Sequence, residues 1–138
     1  MKKSLYFIIY SLVFLCSNIL LAQAPKKIVI ENADYQDLDE YKFPGAILLT
    51  GNVRINHDGV VLTCNKAYFF HKENYLKAFG NVQLVQGDTL FLNSKYAEYS
   101  GDQKKAFATG DAVMSSPDAT LATDTINFDR NVQEVFYN

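Results

Sequence analysis

Apolar and polar side chains alternate along residues 76–84. The even positions carry Leu, Ala, Gly, Val and Leu, whereas the odd positions between them carry Lys, Phe, Asn and Gln. Successive side chains of a strand point to opposite faces of a sheet, so a half-buried strand shows this period of two. The same alternation runs through residues 47–55 and 105–114. The pattern predicts three equivalent strands, each with one apolar face.

Each of these strands carries a glycine on its apolar face, followed by Asn or Asp. The glycines fall at positions 51, 80 and 110, about thirty residues apart, and a fixed period of this length indicates a repeated supersecondary unit. Glycine in the middle of a strand usually marks a bulge, a bend or a close approach of backbone. We therefore expect a curved sheet, and we align the segments that follow on Leu62, Leu90 and Leu121, with Tyr68 equivalent to Tyr96.

Turn residues recur at a spacing of eight to twelve residues after position 56, which is typical of a β-sandwich, barrel or roll. Residues 28–30 are expected to form a first strand, and the acidic stretch 34–41 the loop that leaves it. A helix over residues 60–79 is the alternative, because this stretch lacks Gly and Pro. Its counterpart in the next copy contains Gly87 and Gly101, and its Tyr, Phe, Val and Thr residues favour strands. The fold is predicted to be all-β.

The N-terminus has the composition of a secretory signal peptide. Two lysines precede an apolar run that ends in Ala-Gln-Ala, an order of charged, apolar and small residues typical of a cleaved leader. We predict a signal peptide at residues 1–22, with cleavage after Ala22 or Ala24, and one domain at residues 28–138. An uncleaved transmembrane anchor is the alternative, since the run is about as long as a short membrane span.

Without the leader, 11 basic and 15 acidic residues remain, a net charge of −4. An acidic surface of this kind argues against nucleic acid as a partner. Cys64 is then the one cysteine of the mature chain, so no disulfide can form within it. We expect Cys64 to be a small core residue.

Side chains that commonly carry chemistry are few and fall mostly in predicted turns. His57 and His71 lie in turns among charged residues, without the setting of paired metal ligands. Glu98 is expected on a strand, facing solvent. We expect no enzymatic activity, no metal site and no cofactor. Five acidic residues also fall in predicted turns, where Asp is favoured by its hydrogen bonds to the backbone: Asp58, Asp88, Asp102, Asp118 and Asp129.

The repeated sequence segments resemble those of a known family. Leu-Thr-Gly-Asn-Val at 49–53, Ala-Phe-Gly-Asn-Val at 78–82 and Ala-Thr-Gly-Asp-Ala-Val at 108–113 are similar to those of the OstA-like, LptA-type proteins. The resemblance runs from about Ile28 to the C-terminus. It implies a long, twisted β-jellyroll, open along one side and at its ends, built from repeated antiparallel strands. Barely three copies are present, so the domain is either short or the front part of something longer.

The same resemblance implies a function and partners. Members of the family are periplasmic components of lipopolysaccharide export, so we expect an exported periplasmic protein that shields lipopolysaccharide acyl chains between the inner and outer membranes. Expected partners are lipopolysaccharide and homologous β-jellyroll proteins of the export machinery joined edge to edge, with head-to-tail self-association. The edges would be residues 28–31 and 132–137, because the latter contain no Pro, Gly or Lys to block strand addition.

The apolar strand faces predict which side chains would line the lipid path. Alanines at positions 78, 97, 106, 108, 112 and 119 would leave space for alkyl chains. An ordinary dry core is the first alternative. A β-repeat scaffold without lipid cargo is the second, and a β-sandwich that binds glycans on outer Phe79, Phe91 and Phe107 is the third. The predicted lipid-binding residues are Val53, Ile55, Leu62, Phe69, Leu76, Val82, Leu84, Leu90, Leu92, Ala97, Ala108, Met114, Leu121 and Phe128.

Overall fold

The computed structural model describes residues 24–138. The predicted signal peptide at 1–22 lies outside the described residues. Within residues 24–138 there is no helix of the length and apolarity that a membrane span requires. Nine strands account for most of this part of the chain: β1 Val29–Asn32, β2 Tyr35–Asp39, β3 Ala46–His57, β4 Val60–Phe70, β5 Tyr75–Gln86, β6 Leu90–Ser100, β7 Lys105–Ser115, β8 Thr120–Asp129 and β9 Glu134–Tyr137.

The strands form one antiparallel meander. From β3 to β9 each strand pairs with its neighbours in sequence, and both β1 and β2 pair with β3, along different parts of its outer edge. The first and last strands are not hydrogen-bonded to each other, so the sheet of the described residues is open. The predicted all-β fold of repeated antiparallel strands is confirmed, and the helix over residues 60–79 is excluded because β4 and the first five residues of β5 lie in that stretch.

A bulge interrupts each long odd-numbered strand at its Gly-Asn or Gly-Asp pair. Gly80 has φ +77° and Asn81 φ +46°, and the equivalent pairs in β3 and β7 also adopt positive φ at both residues. Glycine reaches this conformation freely, and Asn and Asp tolerate it better than other residues do. The register shifts by one residue at the three pairs, as an inserted residue requires. The recurring Gly-Asn or Gly-Asp segment therefore forms a bulge in each of these strands.

The bulges crease the sheet, so that its two halves face each other. β6 begins at the end of the sheet where β3 ends with His57, and Tyr99 lies near the far end of β6. In a flat sheet, the nine residue-to-residue steps from Leu90 to Tyr99 alone would separate these positions by roughly 30 Å. Instead, His57 Nδ1 and the Tyr99 hydroxyl are 2.7 Å apart. Apolar side chains of both halves fill the space inside the crease.

The alignment of the middle copy on Leu90 is wrong by two residues. Two residues connect β3 to β4, whereas three connect β5 to β6. Leu62 pairs with Ile55, and Leu92 pairs with Leu84. Because Ile55 and Leu84 each follow their bulge glycine by four residues, Leu92 and not Leu90 corresponds to Leu62.

Two side-chain hydrogen bonds support the corrected alignment. Cys64 Sγ and Ser94 Oγ each donate to the main-chain carbonyl two residues further along, at 3.2 and 2.9 Å. Positions 64 and 94 are therefore equivalent, and the counterpart of Tyr68 is Glu98 rather than Tyr96. The turn before β6 is one residue longer and accounts for one of the two residues, and the other comes from aligning on the leucine at position 90 instead of on the spacing from the bulge glycine.

Some expectations about local structure are corrected. The acidic stretch predicted to be a loop contains β2, a strand that pairs with β3 through main-chain hydrogen bonds and needs no apolar face. The first strand covers Val29–Asn32, and the last one covers Glu134–Tyr137, because Val132 belongs to the preceding turn. Ala119 is exposed in the turn between β7 and β8, where its carbonyl accepts from Ser116 N at 2.8 Å, so it is not on the inner face.

Candidate functional site

All fourteen residues predicted to line a lipid path lie on the inner side of the crease or at its rim. Twelve are buried, with exposed fractions of 6% or less. Leu90 and Leu121 are partly buried and pack against the same core. Both lie at the start of their strands, β6 and β8, and so at the same end of the strands. Their role in lipid binding remains a prediction.

The inner face is organised in rows that cross the strands. One row, here called the leucine row, pairs the inward residues of β3 to β8 on one half of the sheet. A second, the alanine row, does the same on the other half, beside the bulges. Six strands at a spacing of about 4.8 Å make each row about 24 Å long. The leucine row is Ile55, Leu62, Leu84, Leu92, Met114 and Leu121, and the alanine row is Leu49, Ala67, Ala78, Ala97, Ala108 and Ile126.

Sequence reasoning missed several inward residues. Ala67, Tyr99 and Ile126 are 0–2% exposed on the inner side. They lie in even-numbered strands. In these strands the inward positions change between even and odd residue numbers at the level of the bulges. In β6, for example, Leu92 is inward on one side of the bulge level, and Ala97 is inward on the other. Phe69 and Ala97 lie beyond the same change and were predicted, so the sequence reasoning crossed the level of the bulges at single positions but did not extend the inward pattern along the rest of each strand.

Glu98 is not simply exposed to solvent, as expected, but anchors a cluster on the outer face. It is partly buried and accepts hydrogen bonds from the hydroxyls of Tyr75 and Tyr96 and from Lys77 Nζ, the last at 3.1 Å. Burial tends to raise the pKa of Glu98, but the hydrogen bonds from Tyr75, Tyr96 and Lys77 outweigh it and lower that pKa. With three donors already bound, this carboxylate fits a structural role better than an acid–base role.

The three outer phenylalanines do not form one platform. The ring centroid of Phe79 lies 4.9 Å from that of Tyr96 and 5.9 Å from that of Tyr68. Phe107 lies on the same half, opposite Glu98. Phe91 is 43% exposed on the other half, beyond the bulges. A glycan could therefore not stack on all three rings at once.

His57 is not in a turn, as predicted, but is the last residue of β3 and 2% exposed. Its Nε2 lies 3.0 Å from the Lys26 carbonyl oxygen, so Nε2 carries the proton, and Nδ1 accepts from the Tyr99 hydroxyl. Burial, with additional repulsion from Arg130 and Lys104, lowers the pKa of His57. The tautomer and the pKa agree on a neutral ring. Asp129 also differs from expectation, since it ends β8 instead of lying in the turn.

Within residues 24–138, no three His, Cys, Asp or Glu side chains are grouped so that they could hold a metal ion. Cys64 is buried, as predicted, and burial raises the pKa of its thiol to about 11. The inner side of the crease is lined by apolar side chains.

Comparison with known proteins places this geometry in a family. A family described as OstA-like protein matches residues 25–138, nearly all of the described chain. The chain belongs to the OstA-like family. No curated protein matches this OstA-like chain.

The fold of the OstA-like chain also has a counterpart among solved structures. The crystal structure of LptH from Pseudomonas aeruginosa superposes with a TM-score of 0.71, at 18% sequence identity, over 82% of each chain. LptH is described as the LptA-homologous periplasmic component of the conserved lipopolysaccharide transport device. At this identity the likeness concerns the fold alone. It confirms the predicted open β-jellyroll.

Proposed function

We propose that this OstA-like protein is a periplasmic carrier that shields the acyl chains of lipopolysaccharide during transport between the membranes. The observation that carries the proposal is the pair of apolar rows inside the crease. They run across the strands as two uninterrupted lines, and each CH₂ group moved from water into such surroundings contributes roughly 0.8 kcal/mol. No reactive group is needed for this task.

Several further observations support the proposal. Membership of the OstA-like family, and the fold shared with LptH, a lipopolysaccharide transport component, agree with a transport role. Four alanines side by side in the alanine row are smaller than the side chains usual in a sandwich core, so the two halves can accommodate a chain by a small separation. The predicted leader at residues 1–22 would deliver the protein to the periplasm.

Edge strands provide the proposed contacts with other β-jellyroll proteins. On β8, residues 126–129 pair with β9, the last strand of the sheet, and residues 120–125 have no strand on their outer side among the described residues, so β9 and this part of β8 form the edge. An unpaired strand can add a strand from another chain and so extend both the sheet and its apolar inner face. Contacts of this head-to-tail kind do not close, so we expect open assemblies.

Lipid bound to the purified protein tests the proposed function. Native mass spectrometry of protein isolated gently from the periplasm should detect lipopolysaccharide on the wild type and lose it in Leu84→Asp, which places a charge in the leucine row. Gln83→Asp, on the exposed face of the same strand, is the matched control and should retain the lipid. Circular dichroism must first show that both variants are folded. A wild-type protein that carries no lipid, or a Leu84→Asp variant that carries as much, would reject the carrier function.

Sedimentation tests the edge contact separately. Mass should increase with concentration for the wild type and stay near that of a monomer for Val135→Pro, in which β9 loses a main-chain donor. Identical profiles for the two proteins would reject assembly through this edge.

A further inference from the structure

The side of the crease away from the bulges is closed by side chains and not by strand pairing. Each strand pairs only with its neighbours in the meander, yet the two halves meet where the end of β3 faces the end of β6. We call this contact line the polar seam, and define it by His57, Asp58, Tyr99 and Arg130 at its centre and by Lys26–Ile28 with Asn74 at one end.

The centre of the polar seam is a chain of hydrogen bonds. Arg130 Nη1 donates to the Tyr99 hydroxyl at 2.8 Å, and that hydroxyl donates to His57 Nδ1 at 2.7 Å. Arg130 also donates to the Asp58 carbonyl oxygen and to Gln86 Oε1, both at 3.1 Å. One guanidinium, from the turn after β8, thus holds the hairpin between β3 and β4 and the end of β5.

The N-terminal segment closes the rest of the polar seam. Asn74, which is fully buried, accepts from Ile28 N at 2.8 Å and donates to the Lys26 carbonyl oxygen at 3.1 Å. The other side of the same carbonyl faces His57 Nε2. Ile28 is 5% exposed and belongs to the core. Residues 26–28 therefore form a strap between the hairpin at His57 and the turn that contains Asn74.

Ion pairs reinforce the seam only weakly. The Asp58 carboxylate accepts from Lys26 and from Lys104, the latter at 3.2 Å, and these hydrogen bonds lower its pKa to about 2. Lys26 and Lys104 are substantially exposed, and exposed pairs of this kind contribute little to stability. A net hydrogen bond contributes about 1 kcal/mol. A few such bonds are much easier to break together than the ladder between two long strands.

Burial makes an entrance necessary if the protein carries lipid. The inward residues of the leucine and alanine rows are almost completely covered apart from Leu121, and Leu90, which lies beside the leucine row, is also only partly buried. An alkyl chain cannot reach their length from the side without separating the two halves. The bulge side is continuous backbone, so the seam is the line along which the halves can part.

We propose that the polar seam is the lateral entrance through which an alkyl chain reaches the inner face. The inference rests on the proposed carrier function. The two halves hinge at the bulges, and the seam breaks as a unit when the strap at residues 26–28 leaves Asn74 and Arg130 releases Tyr99. Entry by threading through the end at Leu90 and Leu121 is the competing route.

Hydrogen exchange of the wild-type protein without lipid tests whether the seam opens. The Ile28 amide, whose acceptor is Asn74 Oδ1, should exchange at least about tenfold faster than the paired amides in the middle of β5 and β6, since local opening costs less than unfolding. Tyr99→Phe keeps the buried ring but removes the central hydroxyl, so it should accelerate that exchange further. Tyr96→Phe, which loses a hydroxyl on the outer face, is the control and should not. Exchange of Ile28 at the rate of the core amides would overturn the proposal.

Uptake of parinaric acid, a fluorescent fatty acid, tests the route. Losing the hydroxyl bonds should speed uptake by Tyr99→Phe about tenfold, because about 1.4 kcal/mol corresponds to a factor of ten. To slow uptake instead, a flexible bismaleimide can join the two cysteines introduced by Asp58→Cys and Lys104→Cys. The protein then also carries Cys64→Ser, so that no other cysteine of the mature chain reacts. Ser is suitable there because Ser94 makes the equivalent hydrogen bond. The tether should slow uptake at least about tenfold relative to the same protein capped with a monofunctional maleimide.

The outcomes separate the entrance from the function on which it rests. Fast uptake by the tethered protein would reject the lateral entrance and favour threading through the end, while the carrier function would stand. No uptake by any version, with rapid Ile28 exchange, would reject the carrier function and with it the entrance. Slow uptake with the tether and rapid uptake by Tyr99→Phe support both.

Discussion

A side chain added at Gly80, in the bulge of β5, should destabilise the protein in two ways: through the backbone conformation and through contact with a neighbouring side chain. The two costs can be measured separately. A Cβ added at Gly80 would lie 2.8 Å from Asn65 Nδ2 and 3.3 Å from Asn65 Cβ, and the residue has φ +77°. Gly59, in the turn between β3 and β4, has φ +80°, but a Cβ there would meet nothing within 4 Å. Gly59→Ala is therefore a control that tests the backbone conformation alone.

The magnitudes follow from these geometries. The left-handed conformation costs an Ala about 1–2 kcal/mol relative to Gly, which applies to both variants. At Gly80 the crowding of Asn65 adds about 1–3 kcal/mol, the usual range for overpacking. We expect Gly80→Ala to lower the free energy of unfolding by about 2–5 kcal/mol and Gly59→Ala by about 1–2 kcal/mol.

Urea denaturation measures both values, and a double-mutant cycle isolates the contact. In an Asn65→Ala background, which removes the amide but keeps Cβ, the cost of Gly80→Ala should fall by about 1 kcal/mol. Equal costs for Gly80→Ala and Gly59→Ala would refute the claim that the crease is closely packed against the neighbouring strand.

Three further predictions concern the core and the seam. Leu84→Ala should lower the free energy of unfolding by about 2–5 kcal/mol, and Gln83→Ala by less than about 0.5 kcal/mol; similar urea midpoints would refute the assigned faces. His57 has a lowered pKa, so the unfolded state binds the proton more readily, and stability should fall as the pH drops below about 6.5. His57→Gln should lack this slope between about pH 7 and about pH 5, and an unchanged slope would exclude His57 as its source. Cys64 should react with iodoacetamide only as fast as the protein unfolds, because its thiol is buried with a raised pKa; immediate labelling of the native protein would contradict this.

Local patterns in the sequence were sufficient to predict the long strands and to mark the glycines at which a bulge, a bend or a close backbone approach was expected. The alternation at residues 76–84 depends only on the period of a strand, and Gly80-Asn81 contains the two residue types that best tolerate positive φ. Both signals are local, so neither requires knowledge of the tertiary fold. The prediction of a loop at residues 34–41 was wrong because the strand there carries no local signal. An edge strand is held by main-chain hydrogen bonds to β3 and can consist of polar residues, so β2 leaves no periodic signal.

Non-local contacts determined what the sequence could not predict. His57 was expected in a turn because charged residues surround it, but the crease brings Tyr99 and the Lys26 carbonyl to its ring. Asn74 has the sequence setting of an ordinary turn residue, and it is fully buried because the N-terminal strap packs over it. Residues from 28 to 48 positions apart meet at Asn74, and no sequence period links them.

The central claim is that the inner face of the crease carries lipid. A photo-crosslinking residue placed at Leu84 or Met114, on the leucine row, should capture lipopolysaccharide in cells. The same residue at Gln83 or Val113, one position away on the opposite face of the same strands, should not. Equal capture from both faces, or none from the leucine row, would contradict the account.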